Sequence, residues 1–166
     1  MAGMNLPADW ETAEYGTHLF LLGEVFDHFK PKTILECGSG RYSTAFFLSQ
    51  PIDRLVSIEN NPEWTFKPSD PRHEVVSVEG PVVDHLPDLG FDLIFVDDDP
   101  VDAREQTIAK VLAKATGLVV IHDTDYEPFH RQIAWRPNHT DTSRKPNTTV
   151  TFPQATKEFH SWLATR

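Results

Sequence analysis

The chain has 166 residues, 39% of them hydrophobic and 24% charged, which is enough for one domain and little more. Its formal net charge of −10 disfavours unaided binding to long nucleic acid, because an acidic surface repels phosphate backbones. The single cysteine, Cys37, excludes an intrachain disulfide and fits a reducing compartment. The first ten residues lack a signal-peptide pattern, and no apolar stretch approaches the ~20 residues of a membrane span. We therefore expect a cytoplasmic protein without membrane contact, with one domain over residues 1–166 and an N-terminal helical region at 1–31.

Helices and strands alternate along the chain. Apolar residues at three- and four-residue spacing predict a first helix over residues 11–29. Short apolar runs predict five strands, at residues 33–37, 55–59, 74–78, 91–96 and 117–121. A helix capped by Ser43 follows the first strand, and a second helix at residues 101–115 follows the fourth.

This alternation implies right-handed crossovers between parallel strands. The fold class that we predict is α/β, a Rossmann-like doubly wound sheet, mainly parallel, with helices on both faces. Residues 131–135 and 148–152 are predicted to close the sheet as an antiparallel hairpin. The polar segment 136–147 is its loop, and residues 154–163 form a final helix.

The predicted strands end in acidic residues: Glu36, Glu59, Glu79, Asp97 and Asp123. Ligands of open parallel sheets bind beyond the carboxyl ends of the strands, at the switch point of strand order. We therefore expect these carboxylates along one rim.

A glycine turn follows the first strand. Gly38-Ser39-Gly40 allows a sharp bend and the close approach of a ligand. Glu36, just before the turn, would repel a pyrophosphate and suits a cationic, amine-bearing ligand. Glu59 stands about 20 residues past the turn, where a carboxylate commonly accepts hydrogen bonds from ribose hydroxyls.

These motifs resemble those of class I S-adenosylmethionine-dependent methyltransferases. Leu35 to Gly40 with Glu59 resembles the first two motifs of that family. Residues 78–82 and 91–97 look like the third and fourth motifs of small-molecule O-methyltransferases of the catechol and caffeoyl-coenzyme A type. The resemblance spans roughly residues 33–125. It implies methyl transfer from S-adenosylmethionine to a hydroxyl or amine of a small molecule.

The resemblance also implies roles for individual residues. Glu36 would lie near the methionine amino group, Glu59 would hold the ribose, and Asp97 would lie beside the sulfonium. The complete cofactor-binding set is Glu36, Gly38, Ser39, Gly40, Glu59, Asn60, Glu79, Gly80 and Asp97, with Glu79 and Gly80 bordering the adenine.

The candidate catalytic residues are Asp97, His122 and Asp123. Histidine is poised for proton transfer near neutral pH. In the alternative interpretation, His122 hydrogen-bonds within the rim and orients Asp123. The methyl acceptor is expected over the ends of the fourth and fifth strands, with Tyr126 at its border.

Residues 124–147 form the only loop long enough to close over an acceptor. The same loop could instead join the hairpin or pack against a second copy of the chain in a homo-oligomer. The mixture of cationic and aromatic residues in it favours a polar or anionic small-molecule acceptor: Arg131, Trp135, Arg136 and His139.

Two departures from the family bear on metal use. Metal-dependent relatives carry a lysine where this chain has Pro100, and an asparagine where it has Thr124. We therefore predict a site without a metal. The alternative is a divalent cation on Asp97 and Asp123, since oxygen ligands suit magnesium.

Two other functions stay open. One is a non-catalytic relative that binds S-adenosylmethionine or a nucleotide. The other is a nucleotide-dependent oxidoreductase, against which stand the carboxylate of Glu36 and the lack of a third glycine at Ser43.

Overall fold

The computed structural model describes residues 9, 16–154 and 156–166, which form a seven-stranded sheet with helices on both faces. The helices are α1 (Leu19–Phe29), α2 (Ser43–Ser49), α3 (Val101–Lys114), α4 (Glu127–Ile133) and α5 (Lys157–Leu163). The strands are β1 (Thr33–Cys37), β2 (Arg54–Glu59), β3 (His73–Ser77), β4 (Leu93–Val96), β5 (Leu118–Ile121), β6 (Asn138–Asp141) and β7 (Thr148–Thr151). A short 3-10 helix covers Val82–His85.

The strand order is β3-β2-β1-β4-β5-β7-β6. β1 to β5 pair in parallel, whereas β7 runs antiparallel to both β5 and β6. The predicted Rossmann-like sheet with an antiparallel closing pair is therefore confirmed. The order reverses between β1 and β4, so the switch point lies where these two strands end.

Each face of the sheet carries its own apolar core. Successive residues of a strand point to opposite faces, and Ile34 and Leu35 are accordingly buried in different cores. Ile34 belongs to the core under α1, α2 and α5, and Leu35 to the core under α3 and α4. Burial on both faces explains why these strands are uninterrupted apolar runs in the sequence.

The prediction of a first hairpin strand at residues 131–135 is wrong. Residues 131–133 belong to α4, where Phe129 and Ile133, four residues apart, lie on the buried face. The strand that pairs with β7 is β6, inside the predicted loop. β6 is an edge strand of half-buried polar residues, so no apolar alternation marks it in the sequence.

The helix starts also differ from the prediction. Ser43 is the first residue of α2 and does not cap it; the capping position is Tyr42, whose side chain makes no cap bond. α1 begins at Leu19, and residues 11–15 of the predicted first helix lie outside the described residues. Among the residues described, no helix combines the length and apolar character needed to cross a bilayer.

Candidate functional site

A cavity of about 740 Å³ opens at the carboxyl ends of the parallel strands. Its volume is in the range of pockets that bind small molecules and cofactors. The structure brings together on its wall most residues of the predicted site: Gly38, Ser39, Gly40, Glu59, Asp97, His122 and Asp123.

Four residues of the predicted cofactor-binding set lie off the cavity wall, and so does Tyr126, predicted at the border of the acceptor site. Glu36 is wholly buried beside the cavity wall, and Glu79 and Gly80 are exposed on the loop after β3. Asn60 donates from Nδ2 to the carbonyl oxygens of Gly80 at 3.1 Å and of Asp99 at 2.8 Å. Asn60 therefore ties together the loops that follow β2, β3 and β4.

Gly38 is required at the switch point by its backbone and its surroundings. Its φ of +87° is one that side-chain-bearing residues rarely adopt, and an added Cβ would lie 2.5 Å from the carbonyl oxygen of Asp97. The Gly38 N–H donates to the carbonyl oxygen of Ile58 at 2.9 Å. The β1 turn is thus held closely against the ends of β2 and β4.

The Glu59 carboxylate accepts hydrogen bonds from two loops, those that follow β1 and β2. Oε2 accepts from the Ser39 N–H at 2.7 Å, and Oε1 accepts from the Asn61 N–H at 2.7 Å. Burial raises the pKa of Glu59, and these backbone donors act in the opposite direction. Each carboxylate oxygen has a second lone pair, so Glu59 can accept further hydrogen bonds from a ligand.

Glu36 is buried among hydroxyl groups behind the turn. Its Oε2 accepts from Thr44 Oγ1 at 2.7 Å and from Ser57 Oγ at 2.5 Å, whereas Oε1 has no partner among the described residues. Burial raises the pKa of Glu36 to about 7, and the nearby hydroxyl groups of Ser43, Ser57 and Thr44 act in the opposite direction. Ser43, predicted as a cap, therefore lies among the hydroxyl groups around this carboxyl group.

The raised pKa of Glu36 predicts a pH dependence of stability. Well below pH ~4.5 the Glu36 carboxyl group is protonated in both the folded and the unfolded chain. Between pH ~4.5 and about pH 7 the folded chain retains this proton, whereas the unfolded chain loses it. Stability therefore falls as the pH rises, by about 3 kcal/mol for a shift of this size. Urea unfolding should show that Glu36→Gln gains this amount in stability relative to the wild type between pH 4 and pH 8. If the stabilities of the wild type and Glu36→Gln changed in parallel with pH, the raised pKa of Glu36 would be contradicted.

Arg104, absent from the sequence-based site, lies between two predicted catalytic carboxylates. Its Nη1 is 3.0 Å from Asp97 Oδ1 and 2.6 Å from Asp123 Oδ2, with 6% of the side chain exposed. Its Nε donates to the carbonyl oxygen of Asp98 at 2.5 Å. The sequence carries a signal for it, since Arg104 occupies the buried face of α3 with Ile108. A buried arginine requires anionic partners.

Two histidines meet beside Asp97. His122 faces Thr148 Oγ1 with Nδ1 at 3.0 Å and Asp123 Oδ1 with Nε2 at 3.5 Å. The ring of His18, just before α1, lies 4.9 Å from that of His122. Burial lowers the pKa of His18 well below its ordinary value. Sequence reasoning missed His18 because it lies outside the motifs, and no spacing links it to His122.

The segment of residues 124–147, predicted to close over an acceptor, contributes little to the cavity wall. Pro146 lines the cavity. The four residues from which a polar or anionic acceptor was predicted make other contacts: Arg131 pairs with Glu127, Arg136 stacks on Trp135, and His139 packs against Trp162. The cationic residues on the wall within the described ranges are instead Arg41 and Arg104.

The fold is shared with solved methyltransferase structures. The N-methyltransferase NodS from Bradyrhizobium japonicum, in complex with S-adenosyl-L-homocysteine, superposes with a TM-score of 0.56 at 13% identity, over 90% of this chain and 91% of that one. A Staphylococcus aureus protein assigned as a caffeoyl-CoA O-methyltransferase gives 0.56 at 15% identity, over 81% of each chain. At these sequence identities the similarity shows the fold alone. The caffeoyl-CoA O-methyltransferase is one of several kinds of protein among the structural neighbours.

Spermidine synthase from Thermotoga maritima is a third neighbour, with a TM-score of 0.54 and 19% identity. The match covers 78% of this chain but only 56% of the synthase. No family model and no curated protein sequence matches the chain. The fold is therefore the one that these methyltransferases and spermidine synthase share.

Proposed function

We propose that the protein transfers a methyl group from S-adenosylmethionine to a hydroxyl or amine of a small molecule. The observation that carries the proposal is the cavity at the switch point between β1 and β4. Its floor is the Gly38 turn, and the buried carboxylate of Glu59 lies at its side. Spermidine synthase and NodS share this fold, and the NodS structure contains S-adenosyl-L-homocysteine.

The residues present fit this cofactor. Gly38 allows the turn to lie directly against the backbone of Asp97 and Asp98, and the turn residues Gly38, Ser39 and Gly40 line the cavity. Glu59 retains lone pairs for the ribose hydroxyls, and Asp97 supplies negative charge for a sulfonium. Glu36, predicted at the methionine amino group, is wholly buried and off the cavity wall, so it is left out of this binding scheme. When bound, S-adenosylmethionine supplies an already reactive methyl group.

The acceptor is placed on the opposite side of the cavity, beside Asp97, His122 and Asp123. Methyl transfer requires the acceptor atom in line with the sulfur–methyl bond, so the main task of the chain is to hold both partners in that geometry. Arg104 fixes both carboxylates. A proton released by the acceptor would pass to His122, whose Nδ1 is held by Thr148.

Replacing Glu59 should weaken cofactor binding strongly. Glu59→Ala removes the carboxylate expected to bind the ribose, together with the acceptor of the Ser39 N–H in the turn after β1. Loss of a hydrogen bond to a charged group costs about 1.5–3 kcal/mol, which is about 10- to 150-fold in affinity. Calorimetric titration with S-adenosylhomocysteine measures this change directly.

The matched control is Glu74→Ala, since Glu74 lies on β3 and forms an exposed ion pair with Arg54. It should bind S-adenosylhomocysteine like the wild type. Equal affinity of folded Glu59→Ala and Glu74→Ala would remove Glu59 from the ribose site.

A further inference from the structure

Three potential metal ligands from separate parts of the chain converge on the inner wall of the cavity. His18 precedes α1, Asp97 follows β4 and His122 follows β5. Each offers one ligand atom, and these atoms all lie within 4.8 Å of one another. Ligand atoms about 2.1 Å from a metal ion are separated by at most about 4.2 Å, so small side-chain rotations bring all three into range.

His18 is unusual in its hydrogen bonding. Only 3% of the residue is exposed, and neither ring nitrogen has a hydrogen-bond partner among the described residues. A buried polar group without a partner is costly, and native proteins rarely leave one unexplained. Its ring lies edge-on to that of His122, at 4.9 Å. A cation shared by the two rings would satisfy a nitrogen of His18.

The surroundings of His122 and Asp97 suit ligation. Thr148 Oγ1 lies 3.0 Å from His122 Nδ1 and can accept a hydrogen bond from Nδ1–H, which leaves the lone pair on Nε2. Metal-binding histidines are typically oriented by such a hydrogen bond from the other nitrogen. Arg104 contacts Asp97 at Oδ1, so the second carboxylate oxygen is available to a cation.

The local charge also favours a dication. Asp97 and Asp123 carry two negative charges against the single positive charge of Arg104, and all three groups line the cavity. Metal ions whose preferred ligands are carboxylates and water, such as magnesium, are poorly matched to a site with two imidazoles. Two histidines and one carboxylate are typical ligands of zinc and of non-haem iron.

We propose that His18, Asp97 and His122 form a binding site for a divalent transition-metal ion. We expect this site to bind zinc and not magnesium. This site differs from the magnesium site considered from the sequence, because His18 and His122 replace oxygen ligands. Three protein ligands leave further coordination positions, and the site borders the cavity where the acceptor is placed. The inference concerns metal binding alone and does not depend on methyl transfer. While Nε2 binds the metal, His122 cannot accept a proton from the methyl acceptor.

The test uses the full chain without an affinity tag, treated with a chelator and then titrated calorimetrically with zinc and with magnesium. We expect one zinc ion per chain and no measurable binding of magnesium. His18→Asn and His122→Asn should each weaken zinc binding about 100-fold or more, because loss of a ligand exceeds the effect of an outer partner. Thr148→Val should weaken it about 10-fold while keeping all three ligands.

The control is His130→Gln, since His130 is exposed on α4. It should bind zinc like the wild type. Circular dichroism before titration establishes that each variant is folded, and zinc-edge X-ray absorption of the wild type should report two imidazole ligands. Absence of zinc binding by the wild type, or unchanged binding by folded His18→Asn, would overturn the proposal. Binding of S-adenosylhomocysteine by the chelator-treated protein is a separate readout, so either proposal can fail alone.

Discussion

Gly38→Ala should be among the most damaging single substitutions in the chain. The added Cβ would lie 2.5 Å from the Asp97 carbonyl oxygen and 2.9 Å from Asp98 Cα, at a φ of +87°. Backbone strain of this kind costs about 1–3 kcal/mol, and forcing an extra methyl into packed backbone costs a similar amount. We expect a loss of about 3 kcal/mol or more in urea unfolding. Because the ends of β1 and β4 must separate, binding of S-adenosylhomocysteine should also be lost.

Gly23→Ala is the matched control for this substitution. Gly23 lies within α1, and a Cβ there would meet nothing within 4 Å. Alanine is favoured over glycine inside helices by roughly 0.5–1 kcal/mol, so this variant should be slightly more stable than the wild type. If the two variants had similar stabilities, the close approach of β1 and β4 at Gly38 would be incorrect.

Arg104→Met should have the second large effect. Methionine retains the length of the side chain but leaves Asp97 and Asp123 facing each other without a cation. Removing one partner of a buried ion pair costs about 3–5 kcal/mol. The two carboxylates are 26% and 30% exposed, so water compensates in part and we expect a value near the lower limit, about 3 kcal/mol. Chemical denaturation at neutral pH measures it.

Arg131→Met supplies the comparison. Arg131 pairs with Glu127 four residues away on α4, and both side chains are largely exposed. An exposed pair of this type contributes little, about 0.5 kcal/mol or less. If Arg104→Met lost as little stability as Arg131→Met, Arg104 would not hold the carboxylates of Asp97 and Asp123 in solution.

The sequence was informative where burial leaves a pattern. β1, β4 and β5 are covered on both faces, so they stand out as apolar runs, and the order of strands and helices then fixes a parallel sheet. Acidic residues at strand ends fall at one edge of such a sheet, so the sequence predicts that Glu59, Asp97 and Asp123 lie together, and all three line the cavity.

Features that depend on partners distant in sequence were missed. β6 is polar because it lies at the sheet edge, and Arg104 is buried because Asp97 and Asp123 balance its charge. His18 reaches the cavity from before α1, a placement that only the packing of α1 on the sheet determines. Glu36 was predicted at the cofactor and is found behind the turn, bonded to hydroxyls of α2 and β2.

The most direct test of methyl-donor binding compares ligands on the wild-type protein. Thermal unfolding is followed with S-adenosylhomocysteine or with NAD at saturating concentration, because any ligand of the native state raises Tm. A ligand at 100 times its Kd contributes about 2.7 kcal/mol of stability. We expect a clear rise in Tm with S-adenosylhomocysteine and none with NAD. A rise with NAD and no change with S-adenosylhomocysteine would contradict the account and indicate a nucleotide-dependent oxidoreductase.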